Sequence, residues 1–268
     1  MLLLDMTPSG NEFQRKMLLD HSSKIRNIFI LLLLLVPIAL WVGNYLSCNG
    51  KSGDPNGYLQ NVAMIIVNGG DTNPQGTAFL VSDQSGQTQG YMFTARHVID
   101  ATVDKNVCLM FPFIKDDKDE PLITTATIVW TTNITFDGND VNTLRYDVAL
   151  LKLDDLSVLP PEVSGFMVGT DPALKENVSI YGFPNSEGYA VDGQISNTEF
   201  KGTSDLITLS FQIDHGLSGA PIYNEETGEA LGIAIASATD TDIQNIAITL
   251  KRALDLMEQD GVKKLLSE

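Results

Sequence analysis

From Asn61 to about Ile248 the chain is cut into short β-branched and aromatic runs by Gly, Asn, Asp and Pro. Ala63–Val67, Ala78–Val81, Val107–Phe111, Ala126–Trp130, Val148–Leu153, Val178–Tyr181, Leu206–Phe211 and Leu231–Ala236 are examples. Runs of this length leave room for strands but not for helices, so the pattern predicts an all-β barrel or sandwich. Asp155–Ser164, with two prolines, divides the region into halves of about 61–157 and 165–248. Only the C-terminus reads as helical, over about 249–266, with Leu250, Ala253, Leu254, Met257, Val262 and Leu265 at helical spacing.

A second constraint lies upstream. No charged residue occurs from Asn27 to Gly50, and Ile28 to Leu46 is almost wholly apolar. At helical rise this stretch extends for about 28 Å, enough to cross a bilayer core. Arg15, Lys16, Lys24 and Arg26 precede it, whereas Lys51 alone follows closely. The positive-inside bias therefore predicts a cytoplasmic tail (1–27), a transmembrane anchor (28–46), a polar linker (47–60) and an extracytoplasmic domain (61–268). Two alternatives keep the domain outside: a cleaved signal peptide starting from Met17, and a lipid-modified Cys48 at Leu46-Ser47-Cys48.

Composition removes several functions. Formal net charge is −17, and only four of the 17 basic residues but three of the 34 acidic ones precede the anchor's end. The exported part is strongly acidic, which argues against a nucleic-acid surface. Two cysteines, Cys48 and Cys108, exclude a disulfide framework, and without C-x-x-C or a histidine cluster neither a metal nor a cofactor is expected.

Three segments carry chemistry: Phe93–Ile99 with His97, Tyr146–Leu153 with Asp147, and Gly216–Pro221 with Ser218 between glycines. Alone, each has a structural explanation, as a core histidine, a strand-end cap and a tight turn. Together, in the order His, Asp, Ser at spacings of 50 and 71 residues, they suit nucleophilic catalysis. A serine hydroxyl needs an adjacent base, and the base needs a third group to fix its tautomer. The backbone N–H groups of Gly216 and Ser218 are the candidate oxyanion donors.

These segments resemble the boxes of the trypsin-like serine protease family. Thr94-Ala95-Arg96-His97-Val98 is similar to its histidine box, Asp147–Leu151 to its aspartate box and Gly216–Pro221 to its serine box. Gly76–Val81, Tyr181–Pro184 and Asn245–Ile248 further resemble the bacterial Deg/HtrA-like and glutamyl-endopeptidase-like branches. The resemblance implies two six-stranded antiparallel β-barrels with the triad between them, a C-terminal helix, and protein or peptide substrates. It does not extend to a PDZ domain after the protease.

The resemblance also implies a specificity pocket, with Gln212 at its base, Asp214 nearby, and Ala234, Ala236 and Ser237 along one wall. That pocket is expected to be neutral, with His215 at its rim. Leu217 stands where relatives commonly carry Asp or Asn, and no Arg-Ile-Val-Gly-Gly activation site occurs near Ala63–Gly70. Switching by zymogen cleavage is therefore not expected. Leu217 also motivates a competing expectation, a trypsin-like fold that binds without turnover.

Overall fold

A computed structural model describes residues 57–66, 74–83, 85–100, 105–134, 140–184, 187–235 and 245–266. The expected tail, anchor and most of the linker lie outside these residues. Among the described residues no helix is long and apolar enough to cross a membrane.

Strands β1 (Val62–Ile66), β2 (Pro74–Ser82), β3 (Thr88–Thr94), β4 (Asn106–Lys115), β5 (Pro121–Thr131) and β6 (Ala149–Leu153) form a closed barrel in the order β1-β2-β3-β6-β5-β4. Alternation drives the inward faces: along β4, Val107, Leu109 and Phe111 are buried while Asn106 and Phe113 are exposed. Strand β7 (Met167–Val168) follows, and then β8 (Asn177–Gly182), β9 (Tyr189–Asn197), β10 (Leu206–Leu209), β11 (Pro221–Asn224), β12 (Glu229–Ile235) and β13 (Ile246–Thr249). Pairing of β11 with both β8 and β12 closes these last six into a second barrel, and β7 adds to β12 in parallel. The all-β, two-barrel expectation is met, with β7 as an addition.

Each expected run overlaps a strand, with Val67 and Ala236 outside the described residues, but β9 escaped the pattern. Of its nine residues only Ile195 is fully buried, so no apolar alternation marks it. The C-terminal helix is shorter than expected. After two single helical turns, α1 (Arg96–Ile99) and α2 (Val141–Leu144), α3 (Leu250–Gln259) buries Leu250, Ala253, Leu256 and Met257, and its cap residue Thr249 accepts the Arg252 N–H through its hydroxyl at 3.2 Å. Gly261, at φ 73°, ends it: Gly261 N–H bonds the Glu258 carbonyl at 3.1 Å and Val262 N–H the Met257 carbonyl at 2.8 Å. This pairing satisfies the last carbonyls and turns the chain away, leaving Lys263–Leu266 as a separate 3-10 turn.

The barrels share a seam rich in aromatic side chains. Phe166 is 1% exposed, and its ring lies 5.9 Å from Phe79, 5.0 Å from Tyr223 and 5.6 Å from Tyr58 between centroids. Phe79 belongs to the first barrel and Tyr223 to the second, while Tyr58 comes from the 3-10 turn Tyr58–Asn61 ahead of β1. Asn61 adds a polar tie, accepting the Gly165 N–H at 3.0 Å. Burying three or four such rings stabilises the seam by several kcal/mol, on the order of 2 kcal/mol per side chain. That rigidity matters because the candidate catalytic residues come from both barrels.

Candidate active site

His97 lies in the single helical turn α1 (Arg96–Ile99), which is separated from the end of β3 by one residue, and Asp147 lies two residues before the start of β6. β3 and β6 are paired, with Thr94 opposite Ala149, so the register brings the two residues to one barrel end. Asp147 has no exposed surface, and both its oxygens are used. Oδ1 accepts the His97 backbone N–H at 2.8 Å, and Oδ2 lies 2.6 Å from Nδ1 of the ring. A carboxylate accepts, so Nδ1 donates and Nε2 is left as the acceptor nitrogen of the imidazole.

The residues just before this pair are also pinned. Thr132, which is buried, donates its hydroxyl to the Tyr146 carbonyl at 2.5 Å. Its own carbonyl accepts Nη1 of Arg96 at 2.7 Å. One threonine thus braces the neighbours of both His97 and Asp147.

Ser218 comes from the other barrel, on the turn between β10 and β11, and is 3% exposed. Strand β2 of the first barrel holds this turn. Thr77 N–H donates to the Ser218 carbonyl at 2.8 Å, and the Thr77 hydroxyl donates to the Gly216 carbonyl at 2.8 Å. The Thr94 hydroxyl in turn donates to the Thr77 carbonyl at 2.7 Å, three residues before His97. Sequence reasoning missed Thr77, Thr94 and Thr132 as contributors to the site. Their only signal was a hydroxyl inside the Gly76–Val81 and Thr94–Val98 boxes, or, for Thr132, none.

The glycines of the turn are dictated by space. A Cβ on Gly216 (φ 95°) would lie 2.4 Å from the Phe183 carbonyl oxygen, and one on Gly219 (φ 84°) 2.2 Å from that of Thr77. Gly219 N–H donates to the Ala234 carbonyl and Leu217 N–H to that of Asp214, at 2.8 and 3.1 Å. The N–H groups of Gly216 and Ser218 donate to no acceptor among the described residues. Two donors so placed can receive a developing oxyanion.

Leu217 is fully buried in the second barrel's core with Val178, Ile180, Ile213, Ala220 and Ile222. It sits over Gly182, where a Cβ would meet Leu217 Cδ2 at 2.8 Å. Its side chain therefore anchors the turn by packing.

The expected pocket residues are partly separated. Gln212 and Asp214 are exposed and bonded to each other, Nε2 of Gln212 donating to Oδ1 of Asp214 at 2.8 Å. Ala234 is fully buried in the second barrel's core and offers no accessible surface, while Ala236 and Ser237 lie outside the described residues. His215 is exposed. Asn245, singled out in sequence only as part of a strand box, accepts the Ile213 N–H on its side chain at 3.2 Å and the Leu209 N–H on its carbonyl at 2.9 Å. A cavity of about 740 Å³ between Met167, Glu229 and α3 contains none of these residues.

A family model described as a trypsin-like peptidase domain matches residues 76–233, more than half the chain. The chain belongs to the trypsin-like peptidase family. Family and fold mark the domain as that of a serine endopeptidase. No curated protein matches the peptidase in sequence. Among solved structures it is similar to Rv3671c of M. tuberculosis H37Rv in an inactive form, at 18% identity and a TM-score of 0.53, over 80% of this chain and 93% of that one. A serine endoprotease from Yersinia pestis is 21% identical with a TM-score of 0.55, over 75% of this chain and 63% of that one. An inactivated protease paralogue of the scabies mite shares the fold at 10% identity and a TM-score of 0.57, over 76% and 93%.

The packing of Leu217 generates a test. Leu217→Asp would place an unpaired carboxylate in an apolar core, and urea unfolding should show a loss of at least about 3 kcal/mol. A loss below about 1 kcal/mol would mean that the side chain is not held in that core.

Proposed function

We propose that the peptidase is a membrane-anchored, extracytoplasmic serine endopeptidase in which Ser218 is the nucleophile, His97 the general base and Asp147 the group that orients the histidine. The observation that carries this reading is the 2.6 Å contact of His97 Nδ1 with a fully buried Asp147, beside a serine turn tied to the same barrel end. Ser218 Oγ gives its proton to His97 Nε2 as it bonds to the substrate carbonyl carbon. The oxygen of that carbonyl becomes an oxyanion received by Gly216 N–H and Ser218 N–H. His97 then protonates the leaving amine as the C–N bond breaks, leaving an acyl-enzyme. Water, deprotonated by His97, attacks that ester, and collapse releases the new carboxylate and returns the proton to Ser218.

The competing reading, a fold that binds without turnover, has the scabies mite paralogue as a fold-level parallel. What favours turnover is the pairing of His97 with Asp147, which a binding module has no need to maintain. Ser218→Ala should abolish peptide cleavage and fluorophosphonate labelling while the protein stays folded. Asp147→Asn should cost nearly as much by favouring the wrong histidine tautomer. A Ser218→Ala variant that keeps more than about a thousandth of wild-type turnover would sink the assignment. A wild type that neither cleaves nor labels would favour the binding module.

For the pocket we propose neutral selectivity. Gln212 brings no charge, and the Asp214 carboxylate is already engaged by the Gln212 amide. With no free charge offered there to pair a Lys or Arg, Val, Ala, Leu, Thr or Gln is expected before the cut bond. Cleavage profiles of the full-length wild type and Asp214→Asn on a denatured proteome check this. A profile dominated by Lys and Arg that collapses in the variant would make Asp214 the specificity determinant.

The anchor proposal rests on the uncharged stretch over 28–46 and the four basic residues before it. Expressed in intact cells, the protein should fractionate with membranes, with its catalytic domain open to protease added outside. Recovery in the soluble cytoplasmic fraction would refute it.

A further inference from the structure

Arg145 and Tyr146, immediately before Asp147, meet the second barrel through a charged cluster. Asp205 precedes β10, and its Oδ2 lies 3.3 Å from Nε of Arg252 in α3 and 3.6 Å from Nη1 of Arg145. The two guanidinium groups also approach the Tyr146 ring, at 4.9 Å for Arg252 and 5.1 Å for Arg145. Arg252 Nε further donates to the Arg145 carbonyl at 3.4 Å. Asp205 is itself fastened to the start of α3, its carbonyl accepting the Thr249 N–H at 2.9 Å. Nε of Arg145 is buried without a hydrogen-bond partner, so the arrangement keeps this guanidinium in place at a cost in stability.

We propose that Asp205 and Arg252 are positioning residues for Asp147, acting through Tyr146. The inference rests on the Ser–His–Asp reading above. In that reading the reaction needs groups from both barrels, so a small slip along the seam would separate the histidine from the serine. Thr77 and Thr94 tie the seam at the nucleophile turn. The Arg145–Asp205–Arg252 cluster ties it at the aspartate. Cations stacked on an aromatic face constrain the ring, and the Thr132 hydroxyl fixes the carbonyl of the same residue. With both ends of Tyr146 held, the peptide that begins Asp147 has little freedom. Arg252 is only 12% exposed, which keeps its interactions from being fully screened. Helix α3 thereby becomes part of the catalytic geometry, although it contributes no group to the reaction.

The test uses full-length protein in detergent. Arg252→Gln and Asp205→Asn should each lower kcat on a peptide substrate about tenfold with KM within about twofold, the pattern of a misplaced catalytic group. The double variant should fall no further than either single one, because the residues act as a unit. Arg252→Lys, which keeps the charge and loses the planar face, should lie between the variant and the wild type. Lys251→Gln, at an exposed neighbour bonded to Asp255, should leave kcat unchanged. The downfield proton resonance of the His97 Nδ1–H···Asp147 hydrogen bond supplies a readout independent of turnover. It should move upfield or broaden in Arg252→Gln and stay in Lys251→Gln. Lowered thermal stability with unchanged kcat and an unmoved resonance would overturn the proposal and leave the cluster a fold stabiliser. Should Asp205→Asn fail to fold, Arg252→Lys and the resonance decide the matter alone. A wild type without activity would refute the triad reading, while the resonance would still report on the clamp.

Discussion

A carboxylate with no exposed surface has to find its hydrogen-bond donors inside the protein, and at Asp147 both come from one residue, His97. Uncompensated, such a group would be expelled or protonated. The cost is met by geometry: the register of β3 against β6 delivers the histidine's backbone N–H and its ring to opposite oxygens of the same carboxylate. The carboxylate then orients the ring, and its other nitrogen is set as an acceptor. Much of the first barrel's end serves this contact. Arg96 and Tyr146 flank it, and Thr132 braces both.

Ser218 sits on a different barrel, so the seam between barrels is as much a part of the candidate site as His97, Asp147 and Ser218 themselves. The apolar part of the seam, centred on Phe166, supplies cohesion but little direction. Direction comes from hydroxyl groups at defined distances. Thr77 reaches across to the Gly216 and Ser218 carbonyls with a side chain and a backbone donor, and Thr94 fixes Thr77 from behind. Each such bond contributes only about 1 kcal/mol net, but removing a partner would leave a buried carbonyl unsatisfied at greater cost. Specific distances at the site thus follow from the penalty for leaving buried polar groups unpaired.

This division explains what could be read from the sequence. Apolar runs announce strands because burial selects residue type: alternate positions are buried in Val107–Phe111, and every position is buried in Val178–Tyr181. The polar strand β9 announces nothing, since its pairing with β8 depends on backbone groups common to all residues. His97, Asp147 and Ser218 are legible because their chemistry is rare and their neighbours are constrained, the glycines by contacts that no Cβ could share. Thr77, Thr132 and the Asp205–Arg252 pair are not, because a threonine hydroxyl or a charged side chain has many partners in principle. Only the fold, joining Arg145 to Arg252 across 107 residues, selects among them. The pocket fared worst for a related reason: Ala234 occupies the expected strand, yet its side chain packs inward.

Leu217 connects these observations to how the turn is formed. An acidic residue before Ser218 would need a cationic partner, and the shape of the turn would depend on whether that partner was present. An apolar residue needs only a cavity of the right form, and Gly182, Ile213 and Ala220 provide one in the core of the second barrel. Formation of the turn is then coupled to folding of that barrel, because exposing Leu217 would forfeit about 2–3 kcal/mol of apolar burial. The peptide groups on either side of Leu217 inherit this stability. The Gly216 carbonyl is drawn to Thr77, the Leu217 N–H to Asp214, and the remaining N–H groups of Gly216 and Ser218 donate to no acceptor among the described residues. Packing on one face of the turn and two threonines on the other therefore fix these peptide groups as part of the fold itself.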